Sequence, residues 1–69
     1  MKRKYLLKLL KKNGWYLKRI GGNHDIYTNG KEFEPIPRHS EINERLAKEI
    51  IKKHGLWKPL FLITLSALS

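Results

Sequence analysis

Asn23-His24-Asp25-Ile26-Tyr27-Thr28-Asn29-Gly30-Lys31-Glu32-Phe33-Glu34-Pro35-Ile36 is the stretch from which the fold is read. Asn23 to Thr28 alternates with the two-residue period of a strand, placing His24, Ile26 and Thr28 on one face and Asp25 and Tyr27 on the other. Asn29-Gly30 is the strongest short hairpin signal in the chain, because both residue types tolerate the positive φ of a tight turn. Lys31 to Ile36 is then the returning strand. Pro35 and Pro37 have no N–H to give to a ladder, so this strand lies at an edge or ends at Pro35.

Working outward, Gly21-Gly22 separates this hairpin from Trp15–Ile20, an aromatic and aliphatic run that reads as a first strand. Before it, residues 3–13 have helical periodicity. Tyr5, Leu6, Leu9 and Leu10 share one face, and Lys4, Lys8, Lys11 and Lys12 share the other. Asn13-Gly14 is the stop, with glycine suited to a left-handed cap. On the other side, Ser40 is the expected N-cap of a helix over 41–54, with Glu41 and Glu44 near its positive pole. Asn43 stands where a capping box would place Glu or Gln. Ile42, Leu46, Ala47, Ile50 and Ile51 form its apolar face, and Gly55 ends it. The order α-β-β-β-α predicts an α+β fold, a three-stranded antiparallel sheet with both helices on one face.

Sixty-nine residues make one small domain, expected over 1–56. A chain this size buries only about 60% of its unfolded surface. Residues 57–69 form an apolar C-terminal tail, too short for a membrane span. An extra element on the core, a partner interface and an unstructured end all remain open for it. There is no cysteine, hence no disulfide and no thiolate ligand. The N-terminus has no continuous apolar run of the kind a secretory signal needs, which predicts a cytoplasmic protein.

Fifteen Lys and Arg against six Asp and Glu give a formal net charge of +9. Eight of the basic residues (Lys2, Arg3, Lys4, Lys8, Lys11, Lys12, Lys18, Arg19) fall in residues 1–22, with no acidic residue among them. The asymmetry is sharper than solubility requires and points to a polyanionic partner. His24 lies between the glycine turn and the strand, directly after this segment. Imidazole moves protons near neutral pH, and lysine or arginine offsets charge on a phosphate, so the combination suggests cleavage of RNA. RNA carries its own nucleophile, the ribose 2′-OH, which His24 would deprotonate or whose leaving group it would protonate. Lys18, Arg19 and Arg38 are the nearest cations in sequence, Arg38 only if the third strand folds back beside the second. Such chemistry needs no metal or other cofactor, leaves a 2′,3′-cyclic phosphate and survives EDTA. His39 precedes a helix N-terminus and is either a turn residue or a second proton donor. His54 lies in a last helical turn and reads as structural. Trp15, Tyr16 and Tyr27 either pack or stack on bases, with Trp15 assigned to the core.

Several motifs carry a family resemblance: Asn13-Gly14-Trp15 after a short basic helix, Gly21-Gly22-Asn23-His24 opening a strand, Pro37-Arg38-His39 before a second helix, and Ile50-Ile51-Lys52-Lys53-His54-Gly55-Leu56 at its end. In this order, over residues 3–56, the chain resembles the HicA (YcfA-like) toxins, small mRNA interferases of type II toxin–antitoxin systems. The resemblance implies a double-stranded-RNA-binding-domain-like fold, metal-independent ribonuclease activity with His24 catalytic, and a HicB-like antitoxin as partner. The family motif is commonly Gly-Ser-His or Gly-Ser-Asn-His; here Gly22-Asn23 precedes the histidine. The family fold also presents its first helix near duplex RNA, so Lys4, Lys8, Lys11 and Lys12 are either RNA contacts or a solvated face. The expectation is a monomer alone and a hetero-oligomer with the antitoxin, which would cover His24 and the cationic surface. Two other readings compete. A non-catalytic module holding duplex RNA by shape and phosphate contacts would tolerate loss of His24. A membrane-surface amphipath built on residues 2–12 is disfavoured by the hairpin and second helix.

Overall fold

The computed structural model describes residues 1–56. Its elements follow the order α1 (Arg3–Lys12), β1 (Tyr16–Ile20), β2 (His24–Thr28), β3 (Phe33–Pro37) and α2 (Glu44–His54). The strands form one antiparallel sheet with β2 in the centre. This is the α-β-β-β-α arrangement expected from the sequence, consistent with a double-stranded-RNA-binding-domain-like fold. Residues facing one another across antiparallel strands share a face. Asp25 opposes Ile36 and Tyr27 opposes Glu34, so these four lie on one side, and all are buried or half-buried. Arg3 of α1 bonds Asp25 and His54 of α2 bonds Glu34, so both helices cover this same inner face. The core between them is Leu6, Leu10, Trp15, Tyr27, Ile36, Ile42, Ala47, Ile50 and Leu56.

α1 buries Leu6 and Leu10, with Leu7 and Leu9 half-buried beside them. Tyr5, expected on the apolar face, is 51% exposed, and the Lys4 amine lies 5.5 Å from its ring centre. At about 100° per residue Tyr5 lies about 100° from Leu6 and about 140° from Leu10, outside the buried stripe. The helix stops where expected, with Gly14 at φ 84°. The Asn13 amide donates to the Leu9 and Leu56 carbonyls at 2.8 and 3.2 Å, tying this end to the chain beyond α2.

The β2–β3 connection and the start of α2 depart furthest from the sequence reading. The β2–β3 loop is four residues, Asn29 to Glu32, because Thr28 opposes Phe33. Asn29 Oδ1 accepts the Lys31 and Glu32 N–H groups at 2.9 and 2.7 Å, and the Thr28 hydroxyl donates to the Glu32 carbonyl at 2.6 Å. These side-chain bonds close a wider loop than the two-residue turn that Asn-Gly suggests. β3 then runs through Pro35 to Pro37 at the sheet edge. The Arg38 N–H donates to the Asn23 carbonyl at 3.2 Å. By the two-residue period of the ladder, Pro35 and Pro37 turn their nitrogens to the open edge, where no donor is missed.

α2 begins at Glu44, not 41, and its N-cap is Asn43, whose Oδ1 accepts the Arg45 and Leu46 N–H groups at 2.9 and 3.2 Å. Ser40 cannot take that role because residues 40–42 pair with the start of the chain. The Arg3 N–H donates to the Ser40 carbonyl at 2.9 Å, and the Ile42 N–H donates to the Met1 carbonyl at 2.7 Å. The Met1 amine sits 2.9 Å from a Glu41 carboxylate oxygen and 3.1 Å from one of Glu44, and hydrogen bonds to these carboxylates raise its pKa above the ordinary value. Ile42 is buried just outside the helix. Gly55 supplies the left-handed cap at φ 65°. The tail expected over 57–69 lies outside the described residues.

Candidate functional site

His24 opens β2 and is exposed, on the opposite side from Asp25 and Tyr27 as the alternation predicts. Among the described residues its ring has no hydrogen-bond partner. Its backbone is fixed by the tight turn before it, where the Gly21 N–H donates to the His24 carbonyl at 2.9 Å. A Cβ on Gly21 would lie well inside 3.0 Å of that carbonyl oxygen. Glycine is therefore required at 21 for close backbone approach.

The turn is braced from the inner side. Asp25, with 15% of its side chain exposed, accepts from Arg3 Nη2 and from Arg38 Nε, each at 2.8 Å. Arg3 Nε also donates to the Pro37 carbonyl at 2.8 Å, and Arg38 Nη2 donates to the Gly21 carbonyl at 2.7 Å. The third strand does fold back beside the second, and Arg38 lies next to the His24 turn. Its guanidinium, however, is committed to Asp25 and Gly21. The sequence reading took Arg38 as a free cation because it did not place Asp25 beside it.

β1 carries a bulge between Leu17 and Arg19. Without it Arg19 would oppose Asp25 on the inner face. With it Arg19 opposes Ile26, and Lys18 and Arg19 both line a shallow groove with Ile26 and Phe33 on the outer face. Bulges re-aim side chains in this way. His24 lies on the same face, two residues along β2 from Ile26, a spacing of about 7 Å. The structure thus brings Lys18 and Arg19 to the face of His24. It does not bring Lys4, Lys8, Lys11 and Lys12 there. These four line a separate groove with Leu7 on α1 and point away from the core on the helix side.

A family model described as the HicA toxin of bacterial toxin–antitoxin systems matches residues 3–56. The chain belongs to the HicA toxin family. Comparison with curated proteins and with solved structures gave no significant match. Membership makes it the toxin of a toxin–antitoxin pair, with an antitoxin as its partner.

Within this toxin the other two histidines differ sharply. His39 is exposed and has no side-chain hydrogen bond among the described residues. The His54 side chain is 0% exposed, with Nε2 2.7 Å from Glu34 Oε1 and its ring edge-on to Trp15 at 4.5 Å between centroids. It is a core residue, as its place in the last helical turn suggested. Trp15 and Tyr27 are also buried, which leaves Tyr16 as the exposed member of the three aromatics considered for base contact. Among the described residues no cluster of three His, Asp or Glu is placed to hold a metal ion, and no helix is long and apolar enough to cross a membrane.

Proposed function

We propose that this toxin is a metal-independent endoribonuclease that cleaves mRNA with His24 as general acid–base. The observation that carries the reading is an exposed imidazole, free of side-chain partners among the described residues, on the sheet face that also presents Lys18 and Arg19. His24 takes the proton of a ribose 2′-OH. The 2′-oxygen bonds to phosphorus, the bond to the 5′-oxygen breaks, and that oxygen takes up a proton, from the His24 imidazolium or from water, as it leaves. The products are a 2′,3′-cyclic phosphate and a 5′-hydroxyl end. Lys18 and Arg19 offset the charge that builds on the phosphoryl oxygens. Lys4, Lys8, Lys11 and Lys12 contact phosphates elsewhere along a longer or structured RNA. Arg38 serves the site through the Gly21 turn and, with its side chain 42% exposed, reaches phosphate as well. The antitoxin is HicB-like and acts by covering His24 and the neighbouring cations. The protein works as a cytoplasmic monomer and forms a hetero-oligomer only with that antitoxin.

The test is to induce wild type and His24→Ala side by side, following growth and mRNA integrity, and to repeat cleavage with purified protein in EDTA. The expected result is arrest and cleavage only by the wild type, with a loss of about 10²–10⁴-fold in the variant. Equal cleavage by His24→Ala, or a loss in EDTA that magnesium restores, refutes the reading.

A further inference from the structure

The outer face of the sheet has an organisation that cleavage chemistry alone does not require. The registers place its residues in three rows. Tyr16, Thr28 and Phe33 form the first, Arg19, Ile26 and Pro35 the second, and His24 with Pro37 the third. Successive rows are about 7 Å apart along the strands, and neighbouring strands about 4.8 Å apart. Tyr16 and Phe33 are 53% and 57% exposed at the two ends of the first row, about 10 Å apart across the small Thr28. Lys18, extruded by the bulge, joins Arg19 in the second. Both strand carboxylates, Asp25 and Glu34, point inward and are matched there by Arg3 and Arg38, and by Lys53 and His54. The outer strand positions therefore carry aromatic, cationic and imidazole groups and no carboxylate.

Two exposed aromatic side chains on an open sheet, beside unopposed cations, make a surface on which unpaired bases stack while phosphates are held alongside. A rigid duplex keeps its bases stacked on one another and offers such a surface only its backbone. We propose that this sheet face is a stacking platform for single-stranded RNA, with Phe33 and Tyr16 receiving bases, Lys18 and Arg19 holding the intervening phosphate, and the strand thereby led to His24. The proposal rests on the ribonuclease reading and adds to it the substrate form at the site: an unpaired segment lying on the sheet, with the α1 lysines left to phosphates farther along the RNA.

The experiment uses the full-length chain carrying His24→Ala, so that binding is measured without cleavage. A fluorescein-labelled single-stranded RNA of random sequence and a duplex RNA of equal length are titrated by anisotropy, with and without Phe33→Ala, Tyr16→Ala and the conservative Phe33→Tyr. Phe33→Ala and Tyr16→Ala should each weaken single-strand binding about five- to hundred-fold, the range for losing one stacked base. Duplex affinity should be unchanged, and Phe33→Tyr should bind single strands as the parent does. Matching thermal unfolding of the variants confirms that the exposed substitutions leave the fold intact. Unchanged single-strand affinity, an equal loss for duplex, or a loss confined to binding of the cognate antitoxin overturns the platform. Catalysis fails separately: if His24→Ala still cleaves, the catalytic assignment falls while the single-strand selectivity of Phe33 stands or falls on the titration.

Discussion

Gly21 and Gly22 look interchangeable in the sequence, and the structure predicts opposite outcomes for the same substitution at each. A methyl group on Gly21 would sit well inside 3.0 Å of the His24 carbonyl oxygen and 3.6 Å from its carbon, and the obstructing atoms are backbone. The turn must open, which removes the Gly21 N–H bond to His24, worth about 1 kcal/mol net. Displacing the two strand ends adds strain of about 1–3 kcal/mol, as overpacking generally does. The sum, about 2–4 kcal/mol, is a large share of the stability of so small a domain. At about 4–8 °C per kcal/mol for a domain of this size, Gly21→Ala should lower Tm by about 10–30 °C. Gly22 has no heavy atom within 4 Å of a Cβ placed there, and its φ lies outside the left-handed region. Gly22→Ala should therefore stabilise by about 0.4–1 kcal/mol through a less flexible unfolded chain. Circular dichroism melts of the full chain measure both. On the proposed ribonuclease reading, Gly21→Ala below its Tm should also cleave RNA up to about 10²-fold more slowly than its folded fraction accounts for, since a displacement of about 1 Å at a catalytic group has that effect. A Gly21→Ala melt within a degree of wild type, or an equal loss at Gly22, refutes the close approach and the positioning role built on it.

Two further predictions concern α2. Asn43→Ala removes the acceptor of two backbone N–H groups and should cost about 1 kcal/mol, whereas Ser40→Ala should stay within about 0.5 kcal/mol; the reverse ranking in urea melts would place the helix start at 41. His54→Ala empties a fully enclosed site against Trp15 and leaves the Glu34 carboxylate with only the Lys53 amine at 3.5 Å, a loss of about 3–5 kcal/mol that should leave much of the chain unfolded near 37 °C. Cleavage per folded molecule should be unchanged in it, and a variant that folds fully yet fails to cleave would move His54 into the chemistry.

The alternation of β2 was legible, because a two-residue period fixes which residues share a face. It separated His24 from Asp25 and Tyr27 before any tertiary information, and the structure then turned the His24 face outward. The bulge in β1 was not legible. Tyr16-Leu17-Lys18-Arg19-Ile20 fits either register, and only the pairing of Ile20 with Asp25 across the sheet decides that Lys18 and Arg19 share the face of His24. Ser40 satisfied every local rule for an N-cap and lost the role to bonds from residues 1 and 3, which no local window contains. Phe33 went unremarked as a site residue because an apolar residue in a strand pattern reads as core until the open face of the sheet is known. The family was legible less from single residues than from the ordered motifs over residues 3–56, the same span that the family model covers.

The excess of positive charge also divides once its partners are known. A carboxylate drawn inside a protein is costly unless paired and hydrogen-bonded. Turning Asp25 and Glu34 inward leaves the outer strand positions without a carboxylate, and it obliges the fold to supply partners on the inner side. Arg3, Arg38 and Lys53 supply that charge and His54 adds a hydrogen-bond contact to Glu34, so part of the net +9 holds the domain together and is not free to bind phosphate. Arg38 is the instructive case. Substituting it would free the Gly21 carbonyl and leave Asp25 held by Arg3 alone, so a loss of activity there would reflect the turn as much as any phosphate contact. Lys18 and Arg19 have no carboxylate partner among the described residues and stand on the face of His24. Their charge can be removed without dismantling the turn, so the salt dependence of RNA binding in Lys18 and Arg19 variants is the cleaner test of whether that face engages phosphate.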